Sequence, residues 1–141
     1  MRFSIRPIAG RTRRKEQRAR MTEIKINDQH TLSDIQKAFN EHFQFLKLEF
    51  YNAPHHDGEG NSVKEMLDSS QTLKEVRTKH TEGEISIHGN QKVSTLEHAF
   101  EENYGLNAQV FRKSGNIWLQ TTTTDEWTLT EQNETAKEFS R

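Results

Sequence analysis

The chain has 141 residues, no cysteine and a formal net charge of −1. That length suits one domain. The absence of thiols excludes a disulfide framework, a thiolate zinc or iron–sulfur site and a thiol nucleophile. Leucine, isoleucine, valine and phenylalanine supply about a fifth of the residues, just above the range in which charged chains stay disordered, so a small core is expected.

No apolar run approaches the roughly 20 residues that cross a bilayer. Met1 to Ile8 is interrupted by Arg2 and Arg6 and lacks the apolar stretch of a secretory signal. The expected location is therefore cytoplasmic, with no membrane partner. Charge is unevenly spread. Residues 1–20 hold eight cations against Glu16, a local charge of +7, which leaves −8 for residues 21–141. The basic arm, with few apolar side chains, is expected to be disordered on its own. It admits three roles: a dispensable extension before Met21, a targeting peptide, or a polyanion anchor. In the last, Arg11, Arg13, Arg14, Lys15, Arg18 and Arg20 would neutralise nucleic-acid phosphates.

From Met21 onward the hydrophobic period alternates between two and 3.6. Ile24 and Ile26 flank Lys25 as in a strand. Thr31, with Asp34 three residues on, offers a cap to a helix whose stripe is Leu32, Ile35, Ala38, Phe39 and Phe43. Leu46, Leu48 and Phe50 then alternate with charged residues, predicting a second strand. Pro54, Gly58 and Gly60 mark a loop. Capping boxes at Ser62/Glu65 and Thr72/Glu75 each predict a short helix. A strand follows around Ile85 and Ile87, then a third box at Ser94/Glu97 ahead of Leu96, Ala99, Phe100 and Tyr104, with Gly105 as a left-handed C-cap. Ala108 and Val110 open a strand that turns at Ser114-Gly115-Asn116 and returns over residues 117–123. Thr128 and Glu131 cap a final helix of thin apolar content.

At an offset of 61, Ile24 to Phe43 lies over Ile85 to Tyr104, with identities at Ile24/Ile85, Ile26/Ile87, Ser33/Ser94, Ala38/Ala99, Phe39/Phe100 and Glu41/Glu102. An offset of 60 aligns Leu46/Leu106, Leu48/Ala108 and Phe50/Val110, and Thr72-Leu73-Lys74-Glu75 resembles Thr128-Leu129-Thr130-Glu131 at 56. Two copies are too few for a solenoid. The expected fold is α+β: two related β-α-β(-β)-α halves, about residues 21–80 and 81–141, forming one mixed sheet of four or five strands with helices on one face.

Candidate chemistry is sparse. His55-His56-Asp57 has imidazole and carboxylate donors, but neighbouring residues rarely aim at one ion, and the seven histidines never fall at H-E-x-x-H or H-x₃₋₅-H spacing. No G-x-S-x-G elbow, P-loop or dinucleotide fingerprint is present. No catalytic, cofactor-binding or metal-ligating residue is assigned. The expectation is a non-catalytic interaction module with a protein partner, or another copy of itself. It would use an edge strand and the neighbourhood of Trp118, Trp127, Thr121 and Thr123. The alternatives are a nucleic-acid-associated protein anchored by the arm, aided by Arg112 and Lys113 beside Phe111 and Trp118, and an enzyme with an unrecognised site.

Overall fold

The computed structural model describes residues 21–53 and 65–139; the basic arm and the His55-His56-Asp57 cluster lie outside the described residues. Alternation of Ile24 and Ile26 with Lys25 places one apolar face on β1 (Met21–Ile26). Asn27 Oδ1 accepts the Gln29 and His30 amides and turns the chain. Helix α1 (Leu32–His42) then starts on Thr31, whose hydroxyl accepts the Asp34 amide while the Asp34 carboxylate accepts the Thr31 amide. Its buried stripe is Leu32, Ile35 and Phe39. β2 (Leu46–Tyr51) buries Leu46, Leu48 and Phe50.

The helix expected from Ser62 does not extend through the described residues at its end. Met66 instead makes an isolated bridge with Tyr51, and the Leu67 amide donates to the Phe50 carbonyl at 2.8 Å. Helix α2 (Leu73–Val76) is a single turn held by the Thr72/Glu75 box. β3 (Gly83–His88) follows, then α3 (Val93–Tyr104), which ends on Gly105 at φ 64°, the left-handed conformation glycine adopts without a Cβ penalty. β4 (Asn107–Ser114) and β5 (Ile117–Gln120) are joined by Gly115-Asn116, with Gly115 at φ 61°, as a tight hairpin of the II′ kind requires. The last helix, α4 (Leu129–Phe139), runs from the Thr128/Glu131 box and buries Leu129, Gln132 and Ala136.

The third expected box does not form. Lys92 occupies the cap position of α3 without a side-chain bond to the helix. Ser94 donates instead to Glu126 at 2.9 Å, and the buried Glu97 carboxylate accepts the Val110 amide at 2.9 Å. A strand amide that would otherwise be buried and unpaired is a stronger claim on a carboxylate than a helix end open to water.

Among the described residues the fold is α+β with four helices, but the strands do not form one mixed sheet. They form two antiparallel sheets, β1-β3 and β2-β4-β5. The main pairings join strands from opposite parts of the chain. β1 meets β3 with Ile24 opposite Ile85, and β2 meets β4 with Glu49 opposite Gln109. These are the residues that offsets of 61 and 60 set in equivalent places. α1 packs on β1 and β2, and α3 on β3 and β4. Both close over one core that includes Phe39, Phe50, Leu73, Leu96, Phe100 and Leu129.

Backbone bonds between the helix starts and the segments that cap them also recur, with one partner shifted by 61 and the other by 56. Leu32 N–H to Gln71 O matches Val93 N–H to Trp127 O, Ser33 to Ser69 matches Ser94 to Asp125, and Leu73 to His30 matches Leu129 to Gln91. The two parts differ where α2 is a single turn and α4 has 11 residues, while the Leu67 amide on Phe50 O stands where the second part has the Thr121 amide on Val110 O.

The caps bear on pH dependence. Hydrogen bonds from the Thr31, Thr72 and Thr128 amides hold Asp34, Glu75 and Glu131 below the usual carboxylate range. At Asp28 partial burial pushes the carboxyl up, but hydrogen bonding and charge from Arg77, and then from His80, outweigh it and the net shift is downward. Carboxylates lowered in the folded state contribute stability above their unfolded pKa and lose it as pH falls through the folded value. The melting temperature is therefore expected to hold from neutrality to about pH 5 and to fall steadily below about pH 4. A calorimetric series should show Asp28→Asn with a shallower acid limb than wild type.

Candidate interaction surface

Strand pairing decides which backbone groups remain exposed. The Lys113 amide donates to Phe45 O across β2 and β4, so by antiparallel alternation Lys47, Glu49 and Tyr51 bond to β4 while Leu46, Leu48 and Phe50 face the outer edge. All three outward carbonyls are taken. Asn40 Nδ2 donates to Leu46 O at 2.8 Å, Gln36 Nε2 to Leu48 O at 2.9 Å, and the Leu67 amide to Phe50 O. Helix α1 thus seals β2 with side-chain amides from its polar face. Glu97, 61 residues after Gln36, does the corresponding work on β4 at Val110.

β5 is built differently. Among the described residues it pairs on one side only, with β4. The Thr121 amide donates to Val110 O at 3.2 Å, so the bonded positions are Thr121, Leu119 and Ile117, and the N–H and C=O of Trp118 face away from β4. The strand Ile117-Trp118-Leu119-Gln120 carries no charge, no proline and no bulge, the usual protections of an edge. Ile117 is 59% and Leu119 37% exposed.

The outer face of this sheet is a cation–aromatic cluster. Lys47 Nζ stands 5.2 Å from the Phe111 ring centre and 5.1 Å from that of Trp118, and Lys113 Nζ lies 5.9 Å from Trp118. Lys47 also pairs with Glu49 at 3.1 Å, and Glu49 accepts from Gln36 at 3.0 Å. Beside the cluster runs a groove of about 310 Å³ lined by Ser33, Gln36, Lys37, Asn40, Lys47 and Trp118, among others. The amide donors of Gln36 and Asn40 and the Lys47 ammonium are already engaged there. Further along the face, burial first and the Glu49 charge second push the Tyr51 phenol up to about 12. Among the described residues, Tyr51 Oη and Gln109 Oε1 are buried without a hydrogen-bond partner.

The residues singled out in the sequence fall in separate places. Trp118 lies on the outer face. Trp127, 37% exposed, instead sits 5.6 Å from the Arg112 guanidinium. Adjacent strand residues point to opposite faces, so Arg112 and Lys113 leave β4 on different sides of the sheet. Arg112 is spent on Thr124 Oγ1 and Gln132 Oε1, at 3.1 and 3.0 Å. The strand expected over residues 117–123 stops at Gln120. Thr121 is fully buried, its hydroxyl and amide both on Val110 O, while Thr123 is exposed in a turn closed by the Thr124 amide on Thr121 O. Thr121 therefore anchors the end of the hairpin to Val110.

One contact has the outline of an acid–imidazole dyad: His80 Nδ1 lies 2.8 Å from Asp28 Oδ2. The other Asp28 oxygen, however, accepts from Arg77 Nε at 3.1 Å. Arg77 Nη2 stands 2.9 Å from it, close enough for an ion pair but off the line of a hydrogen bond. Arg77 Nη1 donates to Tyr104 O at 3.0 Å, so the cluster ties the β1–α1 turn to the end of α3. Among the described residues, no three His, Cys, Asp or Glu side chains gather as a metal site requires, and no helix is long and apolar enough to cross a membrane. Comparison with family models, with curated proteins and with solved structures gives no match.

Proposed function

We propose that this chain is a non-catalytic interaction module that binds an extended strand of protein along β5. The observation that carries this is the contrast between the two edges of the three-stranded sheet: β2 has its outward carbonyls occupied, whereas β5 is uncharged, paired among the described residues on one side and fringed by exposed Ile117 and Leu119. Strand addition draws affinity from main-chain hydrogen bonds and specificity from alternate side chains, and β5 offers both. Trp118, with Lys47 Nζ 5.1 Å from its ring centre, supplies an aromatic surface beside the seam.

The recurring bonds and the pairing of equivalent residues support a second element of the proposal, that the two parts are copies of one β-α-β-α plan.

Peptides selected by display against the protein test the proposal. Extended sequences are expected to emerge and to bind Leu119→Lys at least tenfold more weakly than wild type by fluorescence anisotropy. The variant should melt within a few degrees of wild type, because exposed substitutions usually change stability by less than about 0.5 kcal/mol. Equal binding to Leu119→Lys and wild type would remove β5 as the site.

A further inference from the structure

Resting on the strand-addition reading, we infer that the strand received by β5 is β5 of a second copy, paired antiparallel about a twofold axis at Trp118. The outward N–H and C=O of Trp118 meet those of its symmetry mate as a hydrogen-bonded pair. Ile117 then lies opposite Leu119 of the other copy, and Leu119 opposite Ile117, in non-hydrogen-bonded pairs, where side chains approach closest. The two most exposed side chains of the strand cover each other twice over, without help from any other surface. The alternative register, centred on Leu119, sets Ile117 opposite Thr121, whose side chain is buried and committed to Val110 in its own sheet.

Charge favours the same occupant. An isologous interface opposes each patch with itself, so a charged edge would repel its mate, and β5 has no charge. The nearest lysine in the Trp118 row is Lys113 on β4. Its counterpart in the second copy lies three strand spacings away, about 14 Å, which exceeds the Debye length of about 8 Å at physiological salt.

The assembly also terminates. Pairing β5 with β5 makes a six-stranded sheet whose two outer edges are both β2, and Asn40, Gln36 and Leu67 occupy the outward carbonyls of each. The product is a closed dimer and not a fibre.

Because the chain has no cysteine, engineered thiols report the register directly. Ile117→Cys and Leu119→Cys, prepared separately and mixed under mild oxidation, are expected to give a 117–119 disulfide dimer, since Cα atoms of such a pair lie about 4.5 Å apart. Either variant alone is expected to stay uncrosslinked, the same-residue diagonal being about 7–8 Å. Sedimentation of the unaltered full chain over a concentration series is expected to show a monomer–dimer equilibrium. Leu119→Cys crosslinking on its own would overturn the register. A strictly monomeric wild type would overturn self-pairing, even where selected peptides still require Leu119 and so leave the strand-addition reading intact. Peptides indifferent to Leu119→Lys would instead defeat that underlying reading.

Discussion

Replacing Phe100 by alanine is expected to cost about 3–5 kcal/mol, enough to leave little folded protein if the total is in the usual 5–15 kcal/mol range. Phe100 is fully buried, and its ring meets Phe50 edge-on at 5.7 Å, joining α3 to β2 across the core. With so few large apolar side chains in the chain, neighbours have little means of collapsing into the space, and a residual cavity adds its own penalty. Denaturant titration followed by Trp118 and Trp127 fluorescence measures the loss. Phe100→Leu, which keeps most of the volume, is expected to cost less than half as much.

Removing the Arg77 side chain is the second large effect. Its guanidinium is wholly inside the protein, bonded to Tyr104 O and paired with Asp28. Arg77→Ala leaves the carbonyl without its donor and Asp28 without its cation, with an expected loss of about 2–4 kcal/mol. Arg77→Lys is expected to recover little, because a single ammonium cannot span both acceptors as the planar fork does. Asp28→Asn is expected to be the mildest of the three, since that side chain is partly open to water. Thermal denaturation of the three variants at pH 7 gives the order.

Local features were the most legible in the sequence. The Thr31/Asp34, Thr72/Glu75 and Thr128/Glu131 boxes form because every atom they need lies within four residues. The same pattern at Ser94/Glu97 fails because Glu97 finds the Val110 amide and Ser94 finds Glu126, partners that spacing along the chain does not reveal. Strand existence could be read from alternation at Ile24, Leu48 and Ile85. Strand partnership could not, since any apolar strand face suits another, and the joining of β1 to β3 and β2 to β4 replaced the expected single sheet. β propensity carried the expected last strand through Thr123, but Thr121 turns inward to Val110 and ends it at Gln120.

The same division holds at the candidate surface. Trp118 stood out by residue type and lies beside the seam. Gln36 and Asn40, which close the opposite edge, look in the sequence like ordinary solvent-facing residues of an amphipathic helix. Only the register of β2 against β4 shows which carbonyls they meet.

The long reach of the main pairings has a kinetic consequence. Met21 pairs with His88 and Leu46 with Arg112, strands some sixty-odd residues apart along the chain, so loop-closure entropy has to be met before either sheet contributes stability. Such high contact order belongs to domains that fold in milliseconds to seconds, not microseconds. During that interval the β4–β5 hairpin, formed locally through Gly115-Asn116, is the part of the chain ready to pair first, whether through β4 with its own β2 or through the uncharged β5 with a neighbouring nascent molecule.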